Sequence, residues 1–373
     1  MRITFVCSVA DLTGGFRMIA GYAKRLRDRG HDVLVVSCPP RAPTVREVVR
    51  ALYRRRPLAF LPRSAATHLD GTGVAHKVLD HRGPPQPRDL RDADVVVATW
   101  WETAEWVSAL PPEKGVHVHF IQDHETWGGP PQRVDASCRL PMPKITSSLW
   151  LQRLLVNQFA QGDVTHIPNA IDTGTFNAPP RGKQPVPTVG FTYTPFTPKG
   201  CDVIAGAIQL ARKVRRELRV VSFGTSKPTP ELPLPAPVDF HLRAPDAMLR
   251  ELYAGCDAWL FGSRKEGFGL PTLEALACRT PVIATRAGAA PELLQDGGGM
   301  LVALEDAGAM ADAIVEMCAM SDGDWRAMSD LAHAAARRHS WDEATDTFEA
   351  VLVRAVQYAR RGAGWRSPIE SAP

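Results

Sequence analysis

The chain has 373 residues, enough for two domains of ordinary size, and 45% of them are hydrophobic, as in globular proteins. The net charge of +4 is small for this length and does not indicate a nucleic-acid partner. No apolar run approaches the roughly 20 residues of a membrane span, and the strand-like start lacks a secretory cleavage pattern. The seven cysteines are scattered without a Cys-x-x-Cys pair, so we expect reduced thiols in a cytoplasmic protein and no zinc site.

The chain opens with a strand, a glycine loop, a helix and a second strand. Residues 3–8 and 33–37 have the apolar character of buried strands, and residues 16–29 have helical periodicity. Gly14 and Gly15 stand between the first strand and the helix, but the GxGxxG fingerprint is absent. The glycine pair alone fits either a turn that needs positive φ or a ligand-binding loop.

Residues 41–63 are rich in arginine, with Glu47 as the single acid. Apolar residues at helical spacing predict a basic amphipathic helix over 45–56 that ends at Pro57. Two interpretations stay open. The helix can dock on anionic lipid or a lipid-linked acceptor at the membrane surface, or it can be a domain helix with a solvated arginine face.

Two later strands end in aromatic and polar residues. Residues 94–99 predict a buried strand that runs into Trp100 and Trp101, whose rings can stack on sugar faces or serve as ordinary packing. Residues 116–121 predict the next strand. Three polar residues follow it: Gln122, Asp123 and His124. Asp123 is a candidate site residue, whereas a lone histidine such as His124 also fits an ordinary loop.

The predicted domain boundary follows from composition. A strand over 144–148 and a helix over 149–159 complete the first half, and residues 179–187 are proline-rich and polar, as in a linker. We therefore expect a first domain over 1–178, a second over 188–340, a returning helix over 341–361 and a frayed tail over 362–373.

The second domain starts with a strand over 188–193 and continues with a helix over 202–214. Lys199 and Gly200 lie between them. A further strand, 218–224, ends at Gly224, and Arg243 precedes the next helix.

Residues 257–302 are the most informative stretch. A buried strand over 258–261, a glycine turn at 267–269, a helix from Pro271 and a strand over 282–285 predict one crossover of a parallel sheet. Glu266 stands beyond the carboxyl end of the first strand, where ligands bind in open α/β sheets. Glu274 follows eight positions later, and backbone N–H groups between the two favour an anion. The pattern predicts a ligand that carries both phosphate and hydroxyl groups.

These residues carry a resemblance to a known family. EGFGLPTLE resembles the Glu-x7-Glu motif of retaining glycosyltransferases with the GT-B fold, family 4 (glycosyl transferases group 1), and PVIATRAGAAPELL is similar to their next strand and turn. HIPNAID, residues 166–172, and Ser340-Trp341 resemble two further segments of that family. The ending FIQD resembles a bacterial rhamnosyltransferase-like branch.

The resemblance implies an α/β protein made of two Rossmann-like, doubly wound domains facing across a cleft, with the last helix crossing back to the first. It also implies transfer of a hexose-type sugar from a nucleotide sugar to an acceptor hydroxyl, with retention of configuration. The acceptor would be a glycan, a lipid-linked molecule or a small natural product. Neither a metal nor a cofactor is expected besides the nucleotide-sugar co-substrate.

The family's site residues carry over by position. Glu266 is expected to meet the donor sugar without acting as a nucleophile, Glu274 the ribose, and Lys199 the diphosphate; with Asp123, Glu266 and Lys199 form the predicted catalytic set. The other expected donor contacts are Gly14, Gly15, Gly224, Arg243, Arg264, Gly267, Phe268, Gly269 and Leu270. The expected acceptor contacts are Trp100, Trp101, Gln122 and His124.

The chain departs from the family pattern at two places. Thr194 stands where an arginine faces the diphosphate, and Gln122-Asp123 stands where a histidine meets the donor sugar. Arg243 and Arg264 are candidates to replace the missing cation. A non-catalytic subunit with a degenerate site therefore remains an alternative, as do a GT-B phosphorylase or epimerase. An oxidoreductase is disfavoured because GxGxxG is absent.

Overall fold

The computed structural model describes residues 1–40 and 66–361. The predicted basic helix over 45–56 and the predicted tail over 362–373 lie outside the described residues. The chain forms two compact units. The first comprises residues Met1–Thr146, Leu151–Ile167 and Thr345–Pro373, and the second comprises Ser147–Trp150 and Pro168–Ala344.

The first unit is built on a parallel sheet of seven strands in the order β3-β2-β1-β4-β5-β6-β7. The strands are β1 (Arg2–Val9), β2 (Asp32–Cys38), β3 (Ala75–Val78), β4 (Val95–Ala98), β5 (Val116–Ile121), β6 (Lys144–Thr146) and β7 (Val164–His166). Its helices are α1 (Gly14–Asp28), α2 (Trp101–Ser108), α3 (Pro131–Cys138), α4 (Leu149–Phe159) and α11 (Trp341–Arg360), of which α4 and α11 take their first residues from the second unit.

An aromatic cluster ties the last helix, α11, to the first unit. The ring of Phe348 stacks on Tyr22 at 4.3 Å between centroids and packs near Phe5 and Phe120 at 6.1 and 5.5 Å. All four rings are buried. Burying a side chain of this size stabilises a fold by about 1.5–3 kcal/mol, so residue 348 is an integral part of the first unit's core.

The second unit is built on a parallel sheet of six strands in the order β10-β9-β8-β11-β12-β13. The strands are β8 (Thr188–Tyr193), β9 (Arg219–Gly224), β10 (Asp239–Leu242), β11 (Ala258–Phe261), β12 (Val282–Thr285) and β13 (Gly299–Val302). Its helices are α5 (Cys201–Val214), α6 (Asp246–Ala254), α7 (Leu270–Ala277), α8 (Ala290–Leu293), α9 (Ala307–Ala319) and α10 (Asp322–Arg337).

Both sheets are doubly wound. In the first, the chain proceeds outward from β1 to one edge and then from β4 to the other. In the second, β8 and β11 occupy the same two positions. Loops beyond the carboxyl ends at such a reversal of strand order splay apart and form the usual ligand crevice. The loops after β1 and β4, and those after β8 and β11, are therefore where sites are expected.

The segment predicted as a linker packs within the second unit. The backbone N–H of Gln184 donates to Asp257 Oδ1 at 2.7 Å, and the Arg181 guanidinium lies over the Trp325 ring at 4.5 Å. The second unit also includes Pro168 onwards, ahead of the predicted linker over 179–187. Buried contacts, which composition does not reveal, account for this difference.

Most predicted elements occur within two residues of their expected bounds, because their apolar runs become the buried strands. The predicted strand over 144–148 is wrong at its end, since β6 stops at Thr146. No helix among residues 1–40 and 66–361 is long and apolar enough to cross a membrane. All seven cysteines are free thiols, and six of them are buried.

Candidate active site

An ion pair joins the two loops at the strand-order reversal of the second sheet. Lys199 ends a short 3-10 turn (Thr197–Lys199) after β8, and Glu266 lies in the loop after β11. The Lys199 Nζ lies 2.6 Å from both carboxylate oxygens of Glu266. The Ser263 hydroxyl donates to Glu266 Oε2 at 3.2 Å. The structure thus brings together two of the three residues predicted to be catalytic.

Glycine at two positions allows this close approach. Gly200 has φ 62°, and a Cβ there would lie 1.9 Å from the carbonyl oxygen of Gly262. Gly288 has φ 58°, and a Cβ there would lie 2.9 Å from both Cβ and Cγ of Glu266. A side chain at 288 would displace Glu266, so this glycine shapes the site as much as the charged residues do.

The glycine turn before α7 is fixed through the Gly267 carbonyl. Its oxygen accepts hydrogen bonds from the Ser148 hydroxyl and from Trp150 Nε1, each at 2.8 Å. Because a trans peptide is planar, its N–H points opposite to its C=O. The two bonds therefore direct the Phe268 N–H to the other side of the loop. Gly269, with φ 97°, then begins α7 at Leu270.

Glu274 is buried in α7 and is held by a tyrosine that the sequence did not single out. The Tyr253 hydroxyl donates to Glu274 Oε2 at 2.7 Å. Tyr253 is fully buried and packs on Trp259, with 4.4 Å between ring centroids. A buried carboxylate needs polar partners, and Tyr253 supplies one whose own position is fixed by the core. No motif marks a tyrosine 21 residues upstream.

Arg264, a candidate replacement for the missing phosphate cation, is bound by carboxylates of its own unit. Its guanidinium pairs with Asp202 at 2.7 Å and with Glu305. It also donates to the Thr197 carbonyl at 2.8 Å. The hydrogen bonds that its guanidinium donates to these carboxylates raise the pKa of Arg264 above its usual range. Arg264 therefore stabilises the turn that carries Lys199, through its hydrogen bond to the Thr197 carbonyl.

The other candidates in this unit lie at strand ends. Arg243 follows β10, is exposed, and donates from Nε to the Thr225 carbonyl at 3.3 Å. Gly224 ends β9, where a Cβ would lie 2.5 Å from the Tyr193 carbonyl oxygen. The backbone N–H of Thr194 is directed at the Cys201 sulfur at 3.4 Å, so this residue serves the local turn.

In the first unit the loops after β1 and β5 meet. Thr13 caps α1, its hydroxyl accepting from the Phe16 N–H at 3.4 Å, and Gly14 and Gly15 form the first turn. A Cβ on Gly15 would lie 3.7 Å from the Gln122 amide nitrogen. Gly15 and Gln122 are thus neighbours, although β4 lies between β1 and β5 in the sheet.

The residues after β5 form an internally bonded loop. The Asp123 carboxylate accepts from the His124 N–H at 2.8 Å and from Trp127 Nε1 at 3.0 Å. His124 Nε2 lies 2.9 Å from Asp135 Oδ1. His124 is therefore paired with α3, and Asp123 with the tryptophan that follows it.

The two tryptophans after β4 differ in environment. Trp101 is 3% exposed, and the Arg133 guanidinium lies over its ring at 4.8 Å. Its ring is thus unavailable for stacking on a ligand, because it is buried against Gly129 and Arg133. Trp100 is half-buried and meets Trp127 edge to face, with 5.3 Å between centroids.

Glu125 links these loops. Its Oε2 accepts from the backbone N–H of Trp101 at 2.8 Å, at the start of α2. Burial raises the pKa of the Glu125 carboxyl well above its usual range, and the nearby carboxylates of Asp123 and Glu102 raise it further. No motif marks this residue beyond its place between His124 and Trp127.

Among residues 1–40 and 66–361, no group of three or more His, Cys, Asp or Glu side chains is arranged to hold a metal ion. Independence from metals stays a prediction.

Solved structures with the same fold cover nearly the whole chain. HepE from Anabaena, in a structure with UDP-glucose, matches with a TM-score of 0.72 and 17% identity, over 95% of this chain and 100% of that one. Sucrose-phosphate synthase from Thermosynechococcus elongatus matches with a TM-score of 0.70 and 17% identity, over 97% and 98%. With the two doubly wound sheets, these matches define a two-domain GT-B fold, as predicted.

A match to a known sequence family lies within the second unit. Residues 186–320 fit the family model described as glycosyl transferases group 1. A D-inositol 3-phosphate glycosyltransferase of Actinosynnema mirum is 38% identical over 107 residues, 29% of this chain and 26% of that protein. O-antigen chain mannosyltransferase B of Escherichia coli is 33% identical over 102 residues, 27% and 26%. The matches span about a quarter of these relatives' length.

These comparisons confirm the resemblance drawn from EGFGLPTLE. The protein has the GT-B fold, and its second unit is similar to the group 1 glycosyl transferases. Assignment to family 4 and to the rhamnosyltransferase-like branch remains a prediction.

Proposed function

We propose that this protein is a glycosyltransferase that moves a hexose-type sugar from a nucleotide-sugar donor to an acceptor hydroxyl with retention of configuration. The observation that carries the proposal is the pairing of Lys199 with Glu266 at the strand-order reversal, in the loop that leads into the helix of the buried Glu274. The names of the sequence relatives support a transferase. The solved structure of HepE with UDP-glucose supports the type of donor.

Glu274 would bind the ribose of the nucleotide. Ionised carboxylates accept hydrogen bonds from hydroxyl groups and have about four lone-pair sites. The Tyr253 hydroxyl fixes the carboxylate at one oxygen, so little rotamer entropy would be lost on binding.

When the donor binds, Lys199 and Glu266 would exchange their contact with each other for contacts with different parts of the donor. In the described structure the ammonium and carboxylate neutralise each other at 2.6 Å. A donor diphosphate would draw the Lys199 ammonium toward itself, while the Glu266 carboxylate would accept hydrogen bonds from the sugar hydroxyls. Ser263 and Gly288, which both contact Glu266, would keep it oriented during this exchange.

Charge on the leaving diphosphate is the main barrier that the protein can lower. The bond between the anomeric carbon and the diphosphate oxygen breaks, and the electron pair leaves with the diphosphate. The acceptor oxygen bonds to the same carbon and its proton is released. Lys199, the amino end of α5 and the N–H groups of the glycine turn would stabilise the developing charge. No metal or further cofactor is part of the proposal.

The test is thermal stabilisation of the purified protein by UDP, GDP, dTDP and ADP, each alone and with its common sugars. A ligand at about 100 times its Kd stabilises the folded state by about 2.7 kcal/mol. We expect one base to give a shift that Glu274→Gln abolishes. The control Glu316→Gln changes an exposed glutamate of α9 and should leave the shift intact.

The outcome also decides between catalysis and mere binding. Release of free sugar or its transfer from the donor, lost in Glu266→Gln, would support the enzyme. No stabilisation by any nucleotide would overturn the proposal and favour the degenerate, non-catalytic alternative.

A further inference from the structure

The indole of Trp127 is exposed but held in place. The residue is 47% exposed, which is unusual for so large an apolar side chain. Its Nε1 donates to Asp123 at 3.0 Å, and its ring meets Trp100 at 5.3 Å and 67°. A packed and hydrogen-bonded indole presents a rigid flat surface, so a ligand that stacks on it loses little of its binding energy to ordering the protein.

The backbone beside Trp127 reinforces this arrangement. A Cβ on Gly128 would lie 2.6 Å from the Trp100 ring, and one on Gly129 would lie 2.3 Å from the Trp101 ring. The Gly128 N–H donates to the Glu125 carbonyl at 2.8 Å. The two glycines let the loop lie directly on the two rings after β4, and Trp127 is fixed as a result.

Chemistry at the edge of the ring selects the ligand class. The Asp123 carboxylate adjoins the Trp127 ring, and Gln122 adjoins Gly15 at the start of α1. The loops after β1 and β4 flank the strand-order reversal of the first sheet, and β5 is the next strand beside β4. A pyranose has an apolar C–H face and a rim of hydroxyls. An aromatic plane bordered by a carboxylate complements both features.

We propose that Trp127, with Trp100 at its edge and Asp123 at its rim, is a subsite for a pyranose ring of the acceptor. This inference deepens the proposed function and rests on it, because it takes the acceptor to be a saccharide. Trp127 is the stacking surface, and Asp123 accepts hydrogen bonds from ring hydroxyls. Glu125 is a positioning residue, because it fastens the same loop to the start of α2.

An apolar tail is the competing ligand for the same rings. A lipid or aryl group would gain from the exposed indole but would leave the Asp123 carboxylate partly desolvated, which costs free energy. The carboxylate at the ring's edge therefore favours the saccharide.

The experiment is a titration of intrinsic tryptophan fluorescence in the full-length protein. The probes are the methyl pyranosides of glucose, mannose, galactose, rhamnose and N-acetylglucosamine, with phenol and n-octanol as apolar probes. Because the chain has nine tryptophans, the Trp127→Phe difference isolates the response of residue 127. At least one pyranoside is expected to change it.

Two substitutions and one control complete the design. Trp127→Ala should raise the Kd of that pyranoside about tenfold, equivalent to about 1.4 kcal/mol, while Asp123→Asn should weaken binding and alter the preference among the sugars. Tyr358→Ala removes another aromatic residue of the first unit that is 46% exposed, and it should leave the Kd unchanged. The thermal midpoint of Trp127→Ala should fall by only a few degrees, because the residue is 47% exposed and its loss removes one ring contact and one hydrogen bond.

The outcomes are distinct. The inference is overturned if no pyranoside binds, if only phenol or octanol binds, or if Trp127→Ala binds the sugar as well as the wild type. Nucleotide stabilisation without pyranoside binding would leave the proposed function standing and remove this subsite. Pyranoside binding without nucleotide stabilisation would overturn the proposed function and leave Trp127 as a binding site for a pyranose.

Discussion

The Lys199 ammonium lies 2.6 Å from both oxygens of the Glu266 carboxylate, although 67 residues separate them. The pair is a partly exposed salt bridge, and such pairs add only about 0–1 kcal/mol to stability. We therefore expect loss of the Lys199–Glu266 pair to lower kcat far more than it lowers stability. Each partner sets the orientation of the other before the donor arrives.

Lys199→Met should lower kcat by about 10²- to 10³-fold, because one preorganised charge on the leaving diphosphate is lost. The measurement is sugar transfer or donor hydrolysis under saturating donor. Lys265→Met changes an exposed lysine in the loop that carries Glu266 and should leave kcat unchanged. Equal activity of Lys199→Met and wild type would remove Lys199 from the site.

Gly288→Ala should reduce turnover, because its Cβ would overlap Glu266 and the Phe268 carbonyl oxygen, at 2.9 and 2.8 Å. Gly30→Ala is the matched control: it also has positive φ, at +86°, but its Cβ would meet nothing within 4 Å. Both variants should lose about 1–2 kcal/mol of stability from the left-handed backbone. Only Gly288→Ala should lose activity, and equal losses in both would refute the steric argument.

Tyr253→Phe should weaken nucleotide binding, because Glu274 loses the hydroxyl that orients it. Leaving a buried polar group without its partner costs about 1–3 kcal/mol. Isothermal titration with the nucleotide found by the thermal screen would measure the effect. Tyr193→Phe removes a buried-ring hydroxyl bonded to Leu232 and Thr229. It should cost stability with no loss of nucleotide affinity, so a similar affinity loss in both variants would contradict a specific role for Tyr253.

The free energy of unfolding should fall as the pH drops below about 6.5. Burial, assisted by the Lys144 charge, lowers the pKa of His119 from 6.5 to about 3. The unfolded chain therefore binds a proton below pH 6.5 that the folded chain does not, which stabilises the unfolded state by about 2 kcal/mol at pH 5.

Denaturant titrations at pH 7 and pH 5 would measure this loss. His119→Leu should show a smaller difference between the two pH values than the wild type does. His81→Leu removes a partly exposed histidine whose pKa is raised by its hydrogen bond to Asp80. It should enlarge the difference, because that group stabilises the folded chain at low pH. If His119→Leu loses as much stability as the wild type, other groups must cause the acid sensitivity.

Local pattern was enough to predict much of the fold. β11, β12 and α7 arise from short apolar runs and a glycine turn, and their sequence carries the Glu266 and Glu274 motif. These strands, the turn and the helix follow one another within 30 residues, so periodicity and spacing reveal them. The same holds for Gly14 and Gly15 at the start of α1.

Long-range partners could not be predicted this way. The Ser148 hydroxyl reaches the Gly267 carbonyl across 119 positions, and nothing near Ser148 identifies that acceptor. Arg264 was a reasonable phosphate cation by position, yet Asp202 and Glu305 hold its guanidinium. Trp127 follows Asp123 by four residues in the sequence. The exposure of its side chain and the contacts that hold its ring are properties of the folded loop, and the sequence does not reveal them.

The placement of Phe348 in the core of the first unit constrains how the chain can be made. Residues 1–167 emerge from the ribosome long before residue 348 does. Until residue 348 emerges, the rings of Phe5, Tyr22 and Phe120 in the first unit are incompletely covered. The second unit, whose residues are all present by Ala344, can finish first. Truncation before residue 348 should therefore damage the half of the protein that is synthesised earliest, and the nascent first unit is where chaperones are most needed.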